Sequence, residues 1–151
     1  DFIQETNELK PKKSGVSLWI DKKLGFSNII DILIKKNFLI EEIRNQDKIF
    51  SNFLGFQDQN NLKSTLINYY ENFNYYKKHH DISLFTLNIF MFNNPKNFKG
   101  GDFMIEESTI ECKFNRAVLF PGFLKHGATN VKLKNDNLYN SGRFSITTFI
   151  Q

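Results

Sequence analysis

Cysteine is almost missing from this 151-residue chain: Cys112 stands alone, so no disulfide can form within it, which fits a reducing compartment. A single cysteine reads as a small buried hydrophobe. No apolar run approaches the length of a bilayer-spanning helix, and the opening stretch DFIQETNELKPKKSG is polar and unlike a secretory signal. A soluble, cytoplasmic protein without a membrane partner is expected; the sequence leaves its oligomeric state open. A dense basic tract is missing too. The net charge is +4, but the lysines are spread among asparagines and isoleucines. That pattern favours a solvated lysine surface over a nucleic-acid partner. Internal repeats and low-complexity tracts are absent. Histidine is scarce, with only His79, His80 and His126 in the chain.

Core formers, by contrast, are plentiful. Hydrophobic residues make up 40% of the chain and 17 residues are Phe, which excludes wholesale disorder and suits one domain over 1–151. Residues 10–16, KPKKSGV, read as a charged turn, and SLWI at 17–20 as a short strand. From Ser27, a plausible N-cap, Ile29, Ile30, Leu33, Ile34, Phe38, Leu39 and Ile43 recur at helical spacing. A second helix is expected from Lys48 to Leu54, stopped at Gly55 and followed by an exposed QDQNN loop. After residue 62 the character changes. STLINYY, SLFTLNIFMF, DFMIEES, AVLFPG and RFSITTFI are β-rich segments separated by Asn, Gly, Pro and Lys clusters. Several short strands without intervening helices argue for a sandwich, jelly roll or barrel and against a doubly wound sheet. The expected fold is mostly β with N-terminal helices, 1–61 forming a helical buttress on one sheet of a 62–151 β core.

The chemistry concentrates in the histidines. In a strand, residues i and i+2 project from one face, so His79 and Asp81 can point together into a cavity while His80 points away. His126 follows the apolar run AVLFPGFLK, at the mouth of a β-scaffold rather than on a solvated helix. Two histidines and one carboxylate on β-strands are the ligand set of non-haem Fe(II) oxygenases, leaving positions open for a co-substrate and O2. An isolated HxD is weak, since a single histidine is most often a surface or satisfied partly buried group. The weight comes from all three ligands falling in place with an arginine following. Arg143 and Ser145 share a face of the last β segment by the same spacing, and a guanidinium with a nearby hydroxyl suits the distal carboxylate of 2-oxoglutarate.

From Tyr69 to Gln151 the chain resembles the catalytic domain of the Fe(II)/2-oxoglutarate dioxygenases, nearest their prolyl 4-hydroxylase-like branch. The matching pieces, in order, are NYYENFNYYKKHHD, FTLNIFMFNN, FKGGDF, NRAVLFPGFLKHGA and SGRFSITTFI. The resemblance implies a double-stranded β-helix, or jelly roll, with helices on one sheet. It implies that His79, Asp81 and His126 hold iron, and that Arg143 and Ser145 bind the distal carboxylate. Tyr69 or Tyr70 falls where relatives line the co-substrate pocket, Tyr70 being preferred. Gly100 and Gly101 match a structural double glycine. Two features depart from the pattern: Met91 stands where some relatives carry a tyrosine, and the gap from His126 to Arg143 is long, with VKLKNDNLYN expected as a loop. The implied reaction consumes O2 and 2-oxoglutarate, yields succinate and CO2, and hydroxylates a substrate C–H bond, with ascorbate as an optional reductant. Asp81 argues against halogenating relatives, which lack that carboxylate. Phe149 stands where the nucleic-acid repair branch has a second arginine. A peptidyl proline-type substrate leads by resemblance, with a free amino acid or other small metabolite as the alternative. A non-catalytic, cupin-like metal-binding module would have no need of Arg143 and Ser145.

Overall fold

The computed structural model describes residues 2–5, 8–11, 13–20 and 62–150. The helices expected between Ser27 and Leu54, and the QDQNN loop, lie outside the described residues. Within them every pairing is antiparallel. In chain order the strands are β1 (Phe2–Glu5), β2 (Glu8–Pro11), β3 (Val16–Ile20), β4 (Leu62–Tyr70), β5 (Tyr76–His79), β6 (Phe85–Met91), β7 (Phe98–Gly100), β8 (Phe103–Ile105), β9 (Ser108–Ile110), β10 (Arg116–Pro121), β11 (His126–Ala128), β12 (Val131–Leu133) and β13 (Arg143–Ile150).

One sheet has the order β10-β6-β13-β4-β3 and a second the order β5-β11-β8-β9, with β12-β7 and β1-β2 as separate pairs. The two larger sheets enclose one pocket, lined by β4, β6 and β13 on one side and β5, β8 and β11 on the other. Two antiparallel sheets facing each other around a ligand-sized pocket make the jelly-roll form expected for the second half of the chain. β13 sits at the middle of the larger sheet. Its Ile, Thr and Phe residues favour an extended, pleated backbone, and both of its edges are paired, to β4 and to β6. Alternation sends Arg143, Ser145, Thr147 and Phe149 into the pocket. Below them lies a core of Tyr70, Phe90, Phe92, Phe98, Phe103, Cys112, Phe120 and Val131. Cys112 is thus the buried apolar residue its isolation suggested.

Three local expectations change. Residues 1–61 are not solely a helical buttress, because β1 and β2 form a hairpin in which Phe2 pairs with Pro11 and Gln4 with Leu9. The hairpin takes Lys10 and Pro11 out of the expected turn; four-residue strands are too short to carry a periodic signal of their own. DFMIEES is a hairpin rather than one strand, with Glu106 at φ 44° between β8 and β9. Finally, the expected long loop after His126 begins as β12, whose Val131–Leu133 pair with Gly100–Phe98.

Candidate active site

β11 and β5 pair so that His126 lies opposite His79. Opposed residues of antiparallel strands have adjacent side chains, and the imidazole centroids stand 4.3 Å apart. His79 is the last residue of its strand. The chain then leaves the sheet, and Asp81 returns its carboxylate to the same side. Asp81 Oδ1 is 3.5 Å from His79 Nε2, and Oδ2 is 3.2 Å from His126 Nε2. His80 turns outward, its Nδ1 2.7 Å from the Phe123 carbonyl. The i, i+2 spacing therefore gives the right directions although only His79 belongs to the strand. The Pro121–Gly122 turn holds the loop in place: the Asp81 N–H donates to the Gly122 carbonyl at 2.8 Å. A Cβ on Gly122 would lie 2.1 Å from the Ser83 carbonyl oxygen, so this approach requires glycine.

Each imidazole is oriented from behind. His79 Nδ1 is 3.0 Å from the Lys77 carbonyl and His126 Nδ1 2.8 Å from the Leu124 carbonyl. A carbonyl only accepts, so each Nδ1 carries a proton and each ring turns its Nε2 inward, toward Asp81. Tyr76 stacks on His79 at 3.8 Å between centroids, and Phe120 meets His126 edge-on at 4.5 Å. Thr86 Oγ1 donates to Asp81 Oδ2 at 2.6 Å. Burial works to raise the Asp81 carboxyl, but contacts with His126, His79 and Thr86 outweigh it and hold the group below the usual carboxylate range. Three groups that could each offer a ligand atom thus converge, with those atoms all within 4.8 Å of one another. Two imidazoles with one carboxylate are the facial donor set suited to Fe(II).

Arg143 enters the same pocket from the opposite sheet. It is 1% exposed, its Nε has no hydrogen-bond partner, and no carboxylate among the described residues pairs with it. The guanidinium instead lies 5.0 Å from the centroids of both Tyr70 and Phe90. A buried charge without a counter-ion is costly, and a planar guanidinium in that state is a ready site for a carboxylate. Gly101, at φ +68°, makes room: a Cβ there would sit 2.8 Å from Arg143 Cδ. Burial pushes the Tyr70 phenol up to about 12, against the opposing pull of Arg143, so it stays protonated.

Tyr70 is 2% exposed and lines the pocket. Tyr69 lies on the other face, its ring 4.5 Å from Phe144. Ser145 lines the pocket beside Arg143, opposite Asn68 in the β4 register. Asn68 Nδ2 donates to Ser145 Oγ and to Thr147 Oγ1, each at 3.3 Å. The structure therefore brings His79, Asp81, His126, Arg143, Ser145 and Tyr70 to one pocket. Met91 is absent from that lining, and the β6 residues that belong to it are Thr86 and Asn88. The sequence did not point to Thr86, Asn68 or Asn88. Their sites follow from cross-strand register, which a single chain does not display, although alternation from Arg143 does reach Thr147.

The family pattern of the 2OG-Fe(II) oxygenase superfamily matches residues 65–151, more than half of the chain. No curated protein matches it. Among solved structures, the viral collagen prolyl hydroxylase vCPH from Paramecium Bursaria Chlorella virus-1, as its 2OG complex, is similar at TM-score 0.63 and 16% identity, covering 92% of this chain and 79% of that one. A Pseudomonas putida prolyl-4-hydroxylase is similar at TM-score 0.62 and 15% identity, covering 92% of this chain and 72% of that one. At these identities the likeness speaks for the fold. No helix among the described residues is long and apolar enough to cross a membrane. With a sequence match over residues 65–151, and a His-Asp-His cluster and an arginine without a carboxylate partner sharing one pocket, the chain belongs to the 2OG-Fe(II) oxygenase superfamily, a family of dioxygenases.

Proposed function

We propose that His79, Asp81 and His126 hold Fe(II), that Arg143 with Ser145 and Tyr70 holds the distal carboxylate of 2-oxoglutarate, and that the enzyme hydroxylates a C–H bond of a peptidyl proline-type substrate. The observation that carries this reading is Arg143: a buried guanidinium with an unpartnered Nε, sharing one pocket with the triad. A module that merely held a metal would gain nothing from that arrangement.

When bound, iron with O2 supplies the oxidising power: one oxygen atom enters 2-oxoglutarate as it becomes succinate and CO2, and the other enters the substrate C–H bond. The chain's own residues bind and orient. His79 and His126 present Nε2 because backbone carbonyls occupy Nδ1. Thr86 holds Asp81 to one rotamer. Arg143 sets the co-substrate's distal end and, with it, the orientation of the keto-acid end. Phe103 and Phe120 line the pocket and keep water from the reacting centre.

The peptidyl assignment draws on the two prolyl hydroxylase structures and on an apolar rim beside the Asp81 loop, where Ile82, Leu84 and Phe123 are exposed. Phe149, in the pocket lining, offers no charge to a nucleic acid. The test supplies iron-loaded enzyme with 2-oxoglutarate and ascorbate, and offers proline-containing peptides and free amino acids in parallel. Succinate formed in step with a peptide that gains one oxygen by mass supports the reading. Coupled turnover with a free amino acid alone assigns the enzyme to small metabolites, and iron binding without succinate under any condition rejects the reading.

A further inference from the structure

Lys13 precedes β3 and meets β5 through a single antiparallel bridge to Tyr76. We propose that Lys13 is a co-substrate-positioning residue: it fixes the Asn68 amide so that Ser145 donates its proton to the distal carboxylate beside Arg143, and it adds a second positive charge behind the pocket wall. The proposal builds on Arg143 as the 2-oxoglutarate clamp.

The ammonium of Lys13 donates to Ser17 Oγ and to Asn68 Oδ1. It lies 5.7 Å from the Tyr70 ring centroid and 5.2 Å from that of Tyr76, and both tyrosines line the pocket. Ser17 adds a second donor to Asn68 Oδ1, at 2.8 Å. An ammonium has protons to give and no lone pair to offer. Asn68 must therefore turn its oxygen toward Lys13 and its NH2 toward Ser145, at 3.3 Å. That NH2 occupies a lone pair of the Ser145 hydroxyl. No acceptor among the described residues takes the Ser145 proton, which is left to point into the pocket next to Arg143. Without Lys13 the orientation is no longer enforced, because the Ser17 hydroxyl accepts as readily as it donates. A turned Asn68 would present Oδ1 to Ser145 and draw its proton away from the ligand.

Charge supports the same role. Asp81 is the one carboxylate in the pocket lining; Arg143 belongs to that lining, and Lys13 stands behind its Tyr70 and Tyr76. Burial, and then repulsion from Arg143, pull the Lys13 ammonium down to about 8. An entering dianion relieves that repulsion. The titratable and charged groups packed against Lys13 are Arg143 on β13, Tyr70 on β4 and Tyr76 on β5, and both tyrosines are pushed up to about 12. Neither phenol ionises near the pH at which Lys13 does.

The test is calorimetric titration of anaerobic, Fe(II)-loaded protein with 2-oxoglutarate, comparing the parent with Lys13→Met, Lys13→Arg and Arg143→Met. Lys13→Met is expected to weaken binding about tenfold, and Lys13→Arg to recover most of that loss. Parent affinity should fall as pH rises through about 8 and beyond, a fall missing in both Lys13 variants. Binding of 2-oxobutyrate, which lacks the distal carboxylate, should be the same in the parent and Lys13→Met. Equal losses for the two keto acids, or equal losses in Lys13→Met and Lys13→Arg, would mean packing rather than carboxylate positioning and overturn the proposal. Unchanged affinity in Lys13→Met with a loss in Arg143→Met would overturn it while leaving the clamp intact. A parent that binds no 2-oxoglutarate overturns both.

Discussion

Replacing Arg143 with Met should make the ligand-free protein more stable and its co-substrate binding far weaker. Arg143 is 1% exposed with no carboxylate partner among the described residues, so the folded protein carries a desolvated charge whose neighbours, the Tyr70 and Phe90 rings and the Cys112 thiol, are neutral. Exchanging buried ionic groups for apolar residues of similar volume is neutral or stabilising by up to about 4 kcal/mol. Losing the cation–π contacts with Tyr70 and Phe90 offsets part of that gain, so the expectation sits at the low end, about 1 kcal/mol. For a domain of this size that is a rise in melting temperature of about 2–4 °C. Binding should move the opposite way. A two-pronged guanidinium–carboxylate pair comprises two charge-assisted hydrogen bonds of about 1.5–3 kcal/mol each, so Kd should rise by at least about two orders of magnitude. Thermal melts with and without 2-oxoglutarate read both effects in one experiment: the variant should melt higher alone and gain less from ligand. A variant that melts several degrees lower without ligand, or that is protected as well as the parent, would refute the reasoning, because Arg143 would then be a structural ion-pair partner.

Three other substitutions probe the pocket. His126→Ala should leave a folded protein, judged by near-ultraviolet circular dichroism, that retains no iron and no turnover; full activity would remove His126 from the triad. Thr86→Val deletes the 2.6 Å hydrogen bond to Asp81 at nearly constant volume. It should weaken metal affinity about tenfold in a chelator competition with little change in the urea midpoint, since partners of ligand groups are worth about 10–100-fold. Unchanged affinity would mean that Asp81 needs no such support. Gly101→Ala places a methyl group 2.8 Å from Arg143 Cδ at φ +68°. The left-handed backbone alone costs about 1–2 kcal/mol. Urea unfolding should show at least that loss, with weaker 2-oxoglutarate binding as Arg143 is displaced. Binding that survives intact would show that Arg143 does not depend on the space Gly101 leaves.

Much of the site was legible because alternation on a strand is a rigid rule. It pairs Arg143 with Ser145, sets His79 against His80, and separates Tyr70 from Tyr69. Spacing alone did not reveal that Asp81 lies beyond the end of its strand, because a loop held by Gly122 can mimic the direction a strand would give. Met91 drew attention through alignment to relatives, yet Thr86 and Asn88 are the β6 residues in the pocket. Lys13 was invisible for a different reason. It is separated from Asn68 by 55 positions, and it is one of many lysines in an Asn- and Lys-rich chain. The pairing of β3 with β4 and the bridge from Lys13 to Tyr76 bring them together. The β1-β2 hairpin likewise left no mark, since strands of four residues are too short to show alternation.

The most direct test of the account is anaerobic titration of Fe(II)-loaded protein with 2-oxoglutarate, followed by the weak visible charge-transfer band of chelated co-substrate. The account predicts a band that saturates in the parent, requires far more 2-oxoglutarate in Arg143→Met, and is absent in His126→Ala. Iron that binds without any band would contradict it, leaving a jelly roll that holds a metal but does not use this co-substrate.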